Sequence, residues 1–416
     1  MADFGGWLMP IEYPGAGVLA EHAAVRERVG LFDVSHLGKA SVVGVGALDF
    51  LNTQTTNDIN RIIDGQAQYT MLCNPDGGVV DDLIVYRNSV DDLFLIPNAS
   101  NTTEVVSIIS AAAPAGISVT NLHNDYAVLA LQGPKAFAVI ESLGVVPTMD
   151  YMAFAHVTIA DCDVILCRTG YTGEHGYELV PRWSDAATVW DALVVAMQPF
   201  DGLICGLGAR DTLRTEMGYP LHGHELSLEI TPVQAGANWA VGWKKESFRG
   251  SYALRAEKED GPRRILRGLQ STDRGIPRAG MEVKNSAGEV IGVVTSGTFS
   301  PSLKTGIALA LLNQKLPLDS KVVIDVRGRQ FFDQLNKALA ELAENGVSRK
   351  IVFVDASDEV LIRRFESSRR PHPLQGNDRI LDGIERERVK LNELRGGADL
   401  VVDTSQLNIH QSLVGL

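Results

Sequence analysis

Up to about residue 325, the chain alternates short apolar runs with turns rich in Gly, Asn and Asp. Apolar runs of this length between turn residues predict β-strands. The segment 186–197 has apolar residues at helical spacing instead and predicts an amphipathic helix. Strands mixed with a few helices in this order predict an α+β fold. The strand-like runs are KASVVGVG, DDLIVY, DDLFLI, YAVLAL and DVILCRTG.

Beyond about residue 325 the pattern changes to that of an α/β unit. A helix is predicted over 330–346, a buried strand over 351–354, and a second helix from Ser357 onward. Asp358 and Glu359 would lie in the first turn of that second helix, where carboxylates interact favourably with the helix dipole. The change predicts a boundary near 326–330. The apolar residues of the first helix are Phe331, Leu335, Leu339 and Leu342.

Composition limits the classes of protein to consider. The length of 416 residues suggests two to four domains, and 45% hydrophobic with 21% charged residues excludes a largely disordered chain. A net charge of −13 argues against bulk attraction to nucleic acid or an anionic membrane, and no apolar run approaches the length of a membrane-spanning helix. The four cysteines lack CxxC pairing, which favours reduced thiols in a cytoplasmic protein.

The segment GGVVDDLIVY carries the first candidate for chemistry. It reads as a strand that is apolar on both faces except for Asp81 and Asp82, one on each face. Burying a carboxylate is costly unless it is paired or binds a ligand, so a strand covered on both faces would point to function. An edge strand with both carboxylates in water would not.

Two further clusters could bind a planar ligand. Residues 167–178 interleave glycines with Tyr171, Tyr177 and Glu178, which suits a heterocycle that donates N–H groups, although a plain glycine-rich hairpin has the same pattern. Residues 206–219 place Arg210 and Arg214 on one helix face, able to meet a carboxylate or an aromatic ring. A surface ion-pair face is the alternative there.

Other sites are disfavoured by their spacing. His222, His224 and Glu225 lack the spacing of a metal centre, so no metal is predicted. Ser35 and His36 are too close in sequence to form a catalytic triad with Asp33. No GxxxxGK[ST] or strand-flanked GxGxxG phosphate loop is present in the sequence.

The order of the motifs resembles the aminomethyltransferase (T-protein) family of the glycine cleavage system. The resemblance covers about residues 1–329. It implies a three-domain cloverleaf around a funnel that binds tetrahydrofolate. It also implies transfer of a methylene carbon from an aminomethyl group, on the lipoyl arm of H-protein, to tetrahydrofolate with release of ammonia. The motifs are FGGWLMPIEY, LFDVSHLGK, GGVVDDLIVY, LALQGP, RTGYTGEHGYE, CGLGARDTLRTEMGYPLHG and VTSGTFSPSLKTGIAL.

The resemblance also assigns roles to individual positions. Asp82, the second carboxylate of GGVVDDLIVY, falls on the catalytic aspartate of the family. Leu37 stands where many relatives have Met, an exchange between two apolar side chains of similar size. The positions that fall on folate-lining residues are Tyr69, Asn98, Tyr171, Glu178, Arg210 and Tyr219.

The segment from about 325 resembles part of the RapZ-like nucleotide-binding RNase adapter family. It corresponds to the later half of a P-loop-kinase-like α/β domain without the P-loop, so no specific nucleic-acid or nucleotide binding is expected. Its basic lid would comprise Arg363, Arg364, Arg369 and Arg370. The resulting domain prediction is a discontinuous folate-binding domain (1–45 and 125–250), a second one (46–124), a truncated C-terminal β-barrel (260–329) and this fragment (330–416).

Two other functions share the predicted fold. A folate-binding scaffold of the iron–sulfur maintenance type would carry a KGC-like signature where this chain has Tyr219-Pro220-Leu221-His222-Gly223, which favours the transferase. Folate-dependent demethylases are not separated by GYTGEHGYE alone.

Overall fold

The computed structural model describes residues 1–272, 275–313, 316–317, 320–325, 352–368, 379–382, 384–385, 388 and 400–405. The chain divides into two compact units. Unit 1 comprises 1–279 and 283–323, and unit 2 comprises 280–282 and 324–416. Within the described residues, no helix is long and apolar enough to cross a membrane.

Unit 1 mixes helices with antiparallel sheets, as the α+β prediction requires. Its α-helices among the described residues are α1 (Gly17–Glu27), α2 (Ala47–Gln54), α3 (Thr102–Ala112), α4 (Ala136–Ser142), α5 (Ala186–Met197), α6 (Leu207–Glu216) and α7 (Ser251–Asp260). Helix α5 has the bounds that its apolar spacing predicts, because Val189, Leu193 and Met197 bury one face.

The first sheet of unit 1 has six strands in the order β10-β11-β12-β9-β3-β13. Only β13 and β3 pair in parallel among the strand pairs of this sheet. Leu131, Leu166 and Leu179 from its central strands form a core with Leu193 of α5. The strands are β3 (Gly30–Asp33), β9 (Leu129–Gln132), β10 (Phe154–Ile159), β11 (Cys162–Cys167), β12 (Gly176–Pro181) and β13 (Leu203–Ile204).

The second sheet has five antiparallel strands in the order β5-β6-β7-β4-β8. Strand β6 therefore lies inside the sheet, and the edge-strand alternative for GGVVDDLIVY is wrong. Its Leu83 and Val85 pack into one hydrophobic cluster, while Ile84 and Tyr86 pack against another. The strands are β4 (Ala40–Val43), β5 (Gln66–Cys73), β6 (Val79–Ser89), β7 (Asp92–Ile96) and β8 (Ser118–Asn121).

The remaining strands of the described chain are β1 and β2 at the N-terminal end and the strands from β14 onward, which follow the two sheets in sequence. In unit 1, β17 lies between β14 and β16 and pairs antiparallel with both, and β16 is irregular between Val294 and Ser296. In unit 2, β19 pairs in parallel with β20. The bounds are β1 (Ala2–Phe4), β2 (Trp7–Met9), β14 (Ile265–Gln270), β15 (Glu282–Lys284), β16 (Val290–Ser300), β17 (Thr305–Leu312), β18 (Val323–Asp325), β19 (Val352–Asp355) and β20 (Leu400–Asp403).

Unit 2 contains the strand and the second helix predicted for the C-terminal segment. Helix α8 spans Asp358–Ser368, with Asp358 and Glu359 in its first turn. Arg388 contacts Asp358 at 2.8 Å and Asp355, the last residue of β19, at 3.0 Å. The helix predicted over 330–346 lies outside the described residues, as do Arg369 and Arg370 of the predicted basic lid.

Glu216, the last residue of α6, fixes that helix within unit 1. Its side chain is 6% exposed and accepts hydrogen bonds from His22 and Arg26 of α1, at 2.9 and 2.7 Å. Its other oxygen accepts from the Ser300 hydroxyl, at the end of β16. Although burial alone would raise it, the pKa of Glu216 is lowered well below its ordinary value by the hydrogen bonds from His22, Ser300 and Arg26.

We expect Glu216→Gln to lower the free energy of unfolding by about 2–4 kcal/mol at pH 7, the order lost when one partner of a buried ion pair is removed. A carboxyl with a lowered folded-state pKa stabilises above its unfolded-state pKa, near 4.3, and this contribution fades as the pH falls below that value. Urea denaturation at pH 7 and pH 3.5 should therefore show the deficit shrinking at the lower pH.

The matched control is Asp64→Asn, which removes a carboxylate that is 58% exposed from its pair with Arg87. An exposed pair contributes less than about 1 kcal/mol. Equal losses in the two variants would contradict the role assigned to Glu216.

Candidate active site

The two carboxylates of β6 differ in their surroundings. Asp81 is fully buried, whereas Asp82 is partly exposed. The alternation of side chains along a strand sends them to opposite faces, and a hydrophobic cluster packs on each face of β6. Just before β6, Gly78 lies against the Leu228 carbonyl, whose oxygen would be only 1.8 Å from a Cβ at this position, so the backbone here packs too closely for a side chain. The strand thus begins at a fixed place.

Asp82 is held by residues from both neighbouring strands. The Tyr69 hydroxyl of β5 donates to Asp82 Oδ2 at 3.0 Å, and the Asn98 amide, just after β7, donates to Oδ1 at 2.8 Å. Tyr69 pairs with Ile84 in the ladder and therefore reaches Asp82 diagonally. Each carboxylate oxygen keeps further acceptor capacity for a ligand.

Asp81 accepts three N–H groups. Asn98 donates through its backbone N and its side-chain amide, both at 2.9 Å, and Asn101 donates at 2.7 Å. Burial and the charge of Asp82 raise the pKa of the Asp81 carboxyl, which these donors oppose. Burial likewise raises the pKa of Asp82. A carboxyl with a raised pKa is suited to exchange a proton near neutral pH.

Glu178 supplies a third carboxyl to the candidate site, from β12. It is 6% exposed, and its Oε2 accepts from the Thr169 hydroxyl at 2.5 Å. Within the described parts of the chain, no donor hydrogen-bonds to its Oε1. Burial raises the pKa of Glu178, while Thr169 and the charge of Arg210 lower it. Its free oxygen can accept an N–H donor from a ligand.

Arg210 supplies a donor that the described protein leaves unused. Its guanidinium lies 4.7 Å from the centre of the Tyr171 ring and forms no hydrogen bond with any described residue. Tyr171 in turn stacks on Tyr219, with ring centres 5.8 Å apart, and donates to the Pro220 carbonyl at 2.5 Å. Arg214 of the same helix has a structural role, because it forms ion pairs with Asp211 at 2.6 Å and with Glu225 at 3.0 Å.

Tyr171 connects the two halves of the site. Burial raises the pKa of its hydroxyl; the negative charge of Asp82 raises it further, and the positive charges of Arg214 and Arg210 lower it. Arg210 also interacts electrostatically with Glu178. Direct contacts thus join Tyr69, Asp82 and Asn98 in one group and Tyr171, Arg210 and Tyr219 in another. Electrostatic interactions link these two groups to each other and to Glu178.

Two of the glycines expected to admit a ligand have a structural reason instead. A Cβ on Gly170 would lie 2.1 Å from Gln132 Oε1, and one on Gly176 would lie 2.6 Å from Gln132 Nε2. The Gln132 amide donates to the carbonyls of Thr169 and Tyr177. These glycines make room for a buried glutamine that orders the loop carrying Tyr171.

Several residues of the site were not predicted from the sequence. Trp239 stacks on Tyr69 with ring centres 5.2 Å apart and is 68% exposed. His36, beside Leu37, is buried, and its Nδ1 has no hydrogen-bond partner in the described part of the chain. Burial together with the charges of Arg210 and Lys39 lowers the pKa of His36 to about 3. Asn101 contacts His222, a residue that the sequence brought up only as a metal candidate. Among the described residues, no group of three or more His, Cys, Asp or Glu could hold a metal ion.

Comparison with known proteins gives the site a family. Residues 1–245 match the family described as GCVT N-terminal domain, and residues 275–414 match the RapZ-like N-terminal domain. Aminomethyltransferases from Parafrankia sp. and Mycobacterium tuberculosis are 59% and 56% identical to the chain. The alignments cover 79% of this chain, and 90% and 89% of those proteins.

A solved structure agrees with the sequence relatives. The crystal structure of glycine cleavage system aminomethyltransferase T from Bartonella henselae superposes with a TM-score of 0.73 at 33% identity. The match covers 79% of this chain and 90% of that one, so the mixed α+β fold is that of the aminomethyltransferase. Identity above 55% over nearly the full length of the curated relatives confirms the resemblance. The chain belongs to the aminomethyltransferase family of the glycine cleavage system and is an enzyme of that family.

Proposed function

We propose that this enzyme transfers the methylene carbon of an aminomethyl group, carried on the lipoyl arm of H-protein, to tetrahydrofolate. The carbon leaves its bonds to sulfur and to the amino nitrogen and forms bonds to two folate nitrogens. The two folate nitrogens each lose one proton; one proton ends on the lipoyl thiol and the other on ammonia. The carbon keeps its oxidation state, so no oxidant is needed. The four cysteines form no disulfide, which supports the proposal that the enzyme acts in the reducing cytoplasm.

The observation that supports this proposal is that Glu178 Oε1 and the Arg210 guanidinium have no hydrogen-bond partner among the residues that the structure describes. A pterin ring offers N–H donors on one edge and acceptors on another. Glu178 Oε1 suits the donors, and the Arg210 guanidinium suits the acceptors. Tyr171 presents an aromatic ring beside Arg210. The residues present therefore fit tetrahydrofolate.

Within this proposal, Asp82 is the catalytic residue. Tyr69 and Asn98 fix the direction of its two oxygens. A carboxylate so held can orient the acceptor nitrogens and take up a proton from them. Its raised pKa makes that proton uptake more favourable near neutral pH. Tyr219 supports Tyr171 by stacking.

The domain division follows from the same proposal. The six-stranded sheet would belong to a discontinuous folate-binding domain (1–45 and 125–250), the five-stranded sheet to a second one (46–124), and β14 to β17 to a shortened β-barrel (260–329). Strand β4 lies before residue 46 yet pairs with β7 and β8. The limit between the first two domains is thus better placed before Ala40.

Calorimetric titration of the full chain with tetrahydrofolate tests the substrate. We expect saturable binding of one molecule per chain. An absence of binding by the folded protein would overturn the proposal.

We expect a chain ending at residue 329 to bind tetrahydrofolate as the full chain does, because the proposed site residues all precede residue 220. The full chain should show no specific binding of ATP, GTP or RNA, since the sequence contains no glycine-rich loop to cradle phosphate. Parallel titrations of the two chains provide the measurement. Saturable micromolar ATP binding that is lost in Arg369→Ala with Arg370→Ala would show that residues 330–416 hold a nucleotide site.

A further inference from the structure

A line of hydrogen bonds runs from the backbone of β6, through His222 and Asn101, to the carboxylate pair. His222 Nε2 lies 3.1 Å from the Val79 carbonyl, and His222 Nδ1 lies 3.0 Å from the Asn101 amide nitrogen. The same amide nitrogen is 2.7 Å from Asp81 Oδ1. Neither Asn101 nor His222 is among the residues assigned to substrate above.

The Val79 carbonyl determines how His222 is protonated. A carbonyl oxygen only accepts, so His222 Nε2 must carry the hydrogen in this contact. In the neutral ring, Nδ1 is then an acceptor and receives one hydrogen of the Asn101 amide. The other hydrogen of that amide goes to Asp81. The imidazole therefore fixes which way the Asn101 amide faces.

The Asn98 amide, by contrast, has more acceptors than hydrogens. Its nitrogen lies within hydrogen-bond distance of Asp81 Oδ1 (2.9 Å), the Asp82 carbonyl (3.0 Å) and Asp82 Oδ1 (2.8 Å). Two hydrogens cannot serve three oxygens fully. The two carboxylates thus compete for the hydrogens of the Asn98 amide. Any other donor to Asp81 reduces the competition of Asp81 for that amide.

We propose that His222 and Asn101 are positioning residues, which satisfy Asp81 so that the Asn98 amide stays on Asp82. This inference rests on the proposed role of Asp82. Without the Asn101 donor, the fully buried Asp81 draws the Asn98 amide to itself. Asp82 Oδ1 then loses its donor and its fixed direction, while the Glu178 and Arg210 contacts are untouched.

The expected signature is a loss of kcat without a loss of folate affinity. In the full-length enzyme, His222→Phe and Asn101→Ala should each lower kcat about tenfold, the factor that corresponds to one hydrogen bond. The Kd for tetrahydrofolate should stay within about twofold. The Asn101 side chain does not cap α3, so Asn101→Ala leaves that helix start intact.

His222→Gln is the conservative variant. Its amide can donate to the Val79 carbonyl and accept from Asn101, so kcat should recover to within about threefold of the wild type. Combining His222→Phe with Asn101→Ala should cost no more than Asn101→Ala alone, because both act through one line of contacts. His224→Phe removes a neighbouring exposed histidine, bonded to the Thr295 carbonyl, and should leave kcat unchanged.

Wild-type kcat in both His222→Phe and Asn101→Ala would overturn the proposal, as would additive losses or a loss that appears in Kd. The nitrogen NMR shifts of His222 in the ligand-free wild type provide a test that needs no turnover. The Nε2–H form is expected, and an Nδ1–H form would also overturn the proposal. Failure of the wild type to make methylenetetrahydrofolate would instead count against the proposed function, with the NMR result still deciding on His222.

Discussion

Replacing Asp82 with asparagine should lower turnover by about 100-fold or more, the order lost with a catalytic acid–base group. Asparagine keeps the volume of the side chain but removes its charge and its capacity to take up a proton. Tyr69 and Asn98 both donate to Asp82, and the Asn98 donor would face an amide in place of a carboxylate. The rate of methylenetetrahydrofolate formation with aminomethylated H-protein is the measurement.

The neighbouring Asp81 is a poor control for this experiment. It is fully buried and accepts three N–H groups, so Asp81→Asn would disturb Asn98 and Asn101 as well. Asp76→Asn, in the exposed turn before β6, changes one carboxylate without touching the site. Unchanged turnover in a folded Asp82→Asn variant would remove Asp82 from the mechanism.

Truncating Arg210 or Glu178 to alanine should weaken tetrahydrofolate binding by about 2–3 kcal/mol, or roughly 30- to 150-fold in Kd. Each change leaves a polar edge of the bound ring without its partner in a buried place. The effect should appear in Kd measured by calorimetry. Glu141→Ala, on the exposed face of α4, is the matched carboxylate control.

An unchanged Kd in Glu178→Ala would contradict its placement against the ring. The Thr169 hydroxyl would then lose the carboxylate that accepts its hydrogen bond, without consequence for the ligand. Arg210→Ala also removes the cation over Tyr171, so Tyr171→Leu, which removes the ring and keeps Arg210, measures the contribution of the cation–ring contact.

Local patterns predicted the elements better than they predicted their partners. Helix α5 and strand β6 follow from the spacing of apolar side chains within a few residues. The place of β4 in the second sheet does not, because pairing with β7 and β8 joins segments about 50 and 80 residues away. The packing of hydrophobic clusters on both faces of β6, whose Asp81 is buried, is likewise a property of the assembled fold.

The candidate site shows the same division. In the sequence, Asp82 is a carboxylate on an otherwise apolar strand face. Alternation alone, however, makes Asp81 an equally good candidate for the catalytic carboxylate. Their burial and their hydrogen bonds distinguish them: Asp81 is fully buried, and its donors come from Asn98 and Asn101 after another strand. The glycines of 167–178 predict close approach of a ligand to the backbone, whereas Gln132 fills the space beside two of them. Because Gln132 lies on another strand, the sequence of 167–178 gives no sign of its presence.

The central claim is that the group around Asp82 passes a methylene carbon to tetrahydrofolate. The most direct measurement follows ammonia and methylenetetrahydrofolate together, with the full chain, aminomethylated H-protein and increasing tetrahydrofolate. We predict saturation with tetrahydrofolate and one ammonia released for each methylenetetrahydrofolate formed. Ammonia released at the same rate without tetrahydrofolate, with no methylenetetrahydrofolate made in its presence, would contradict the claim.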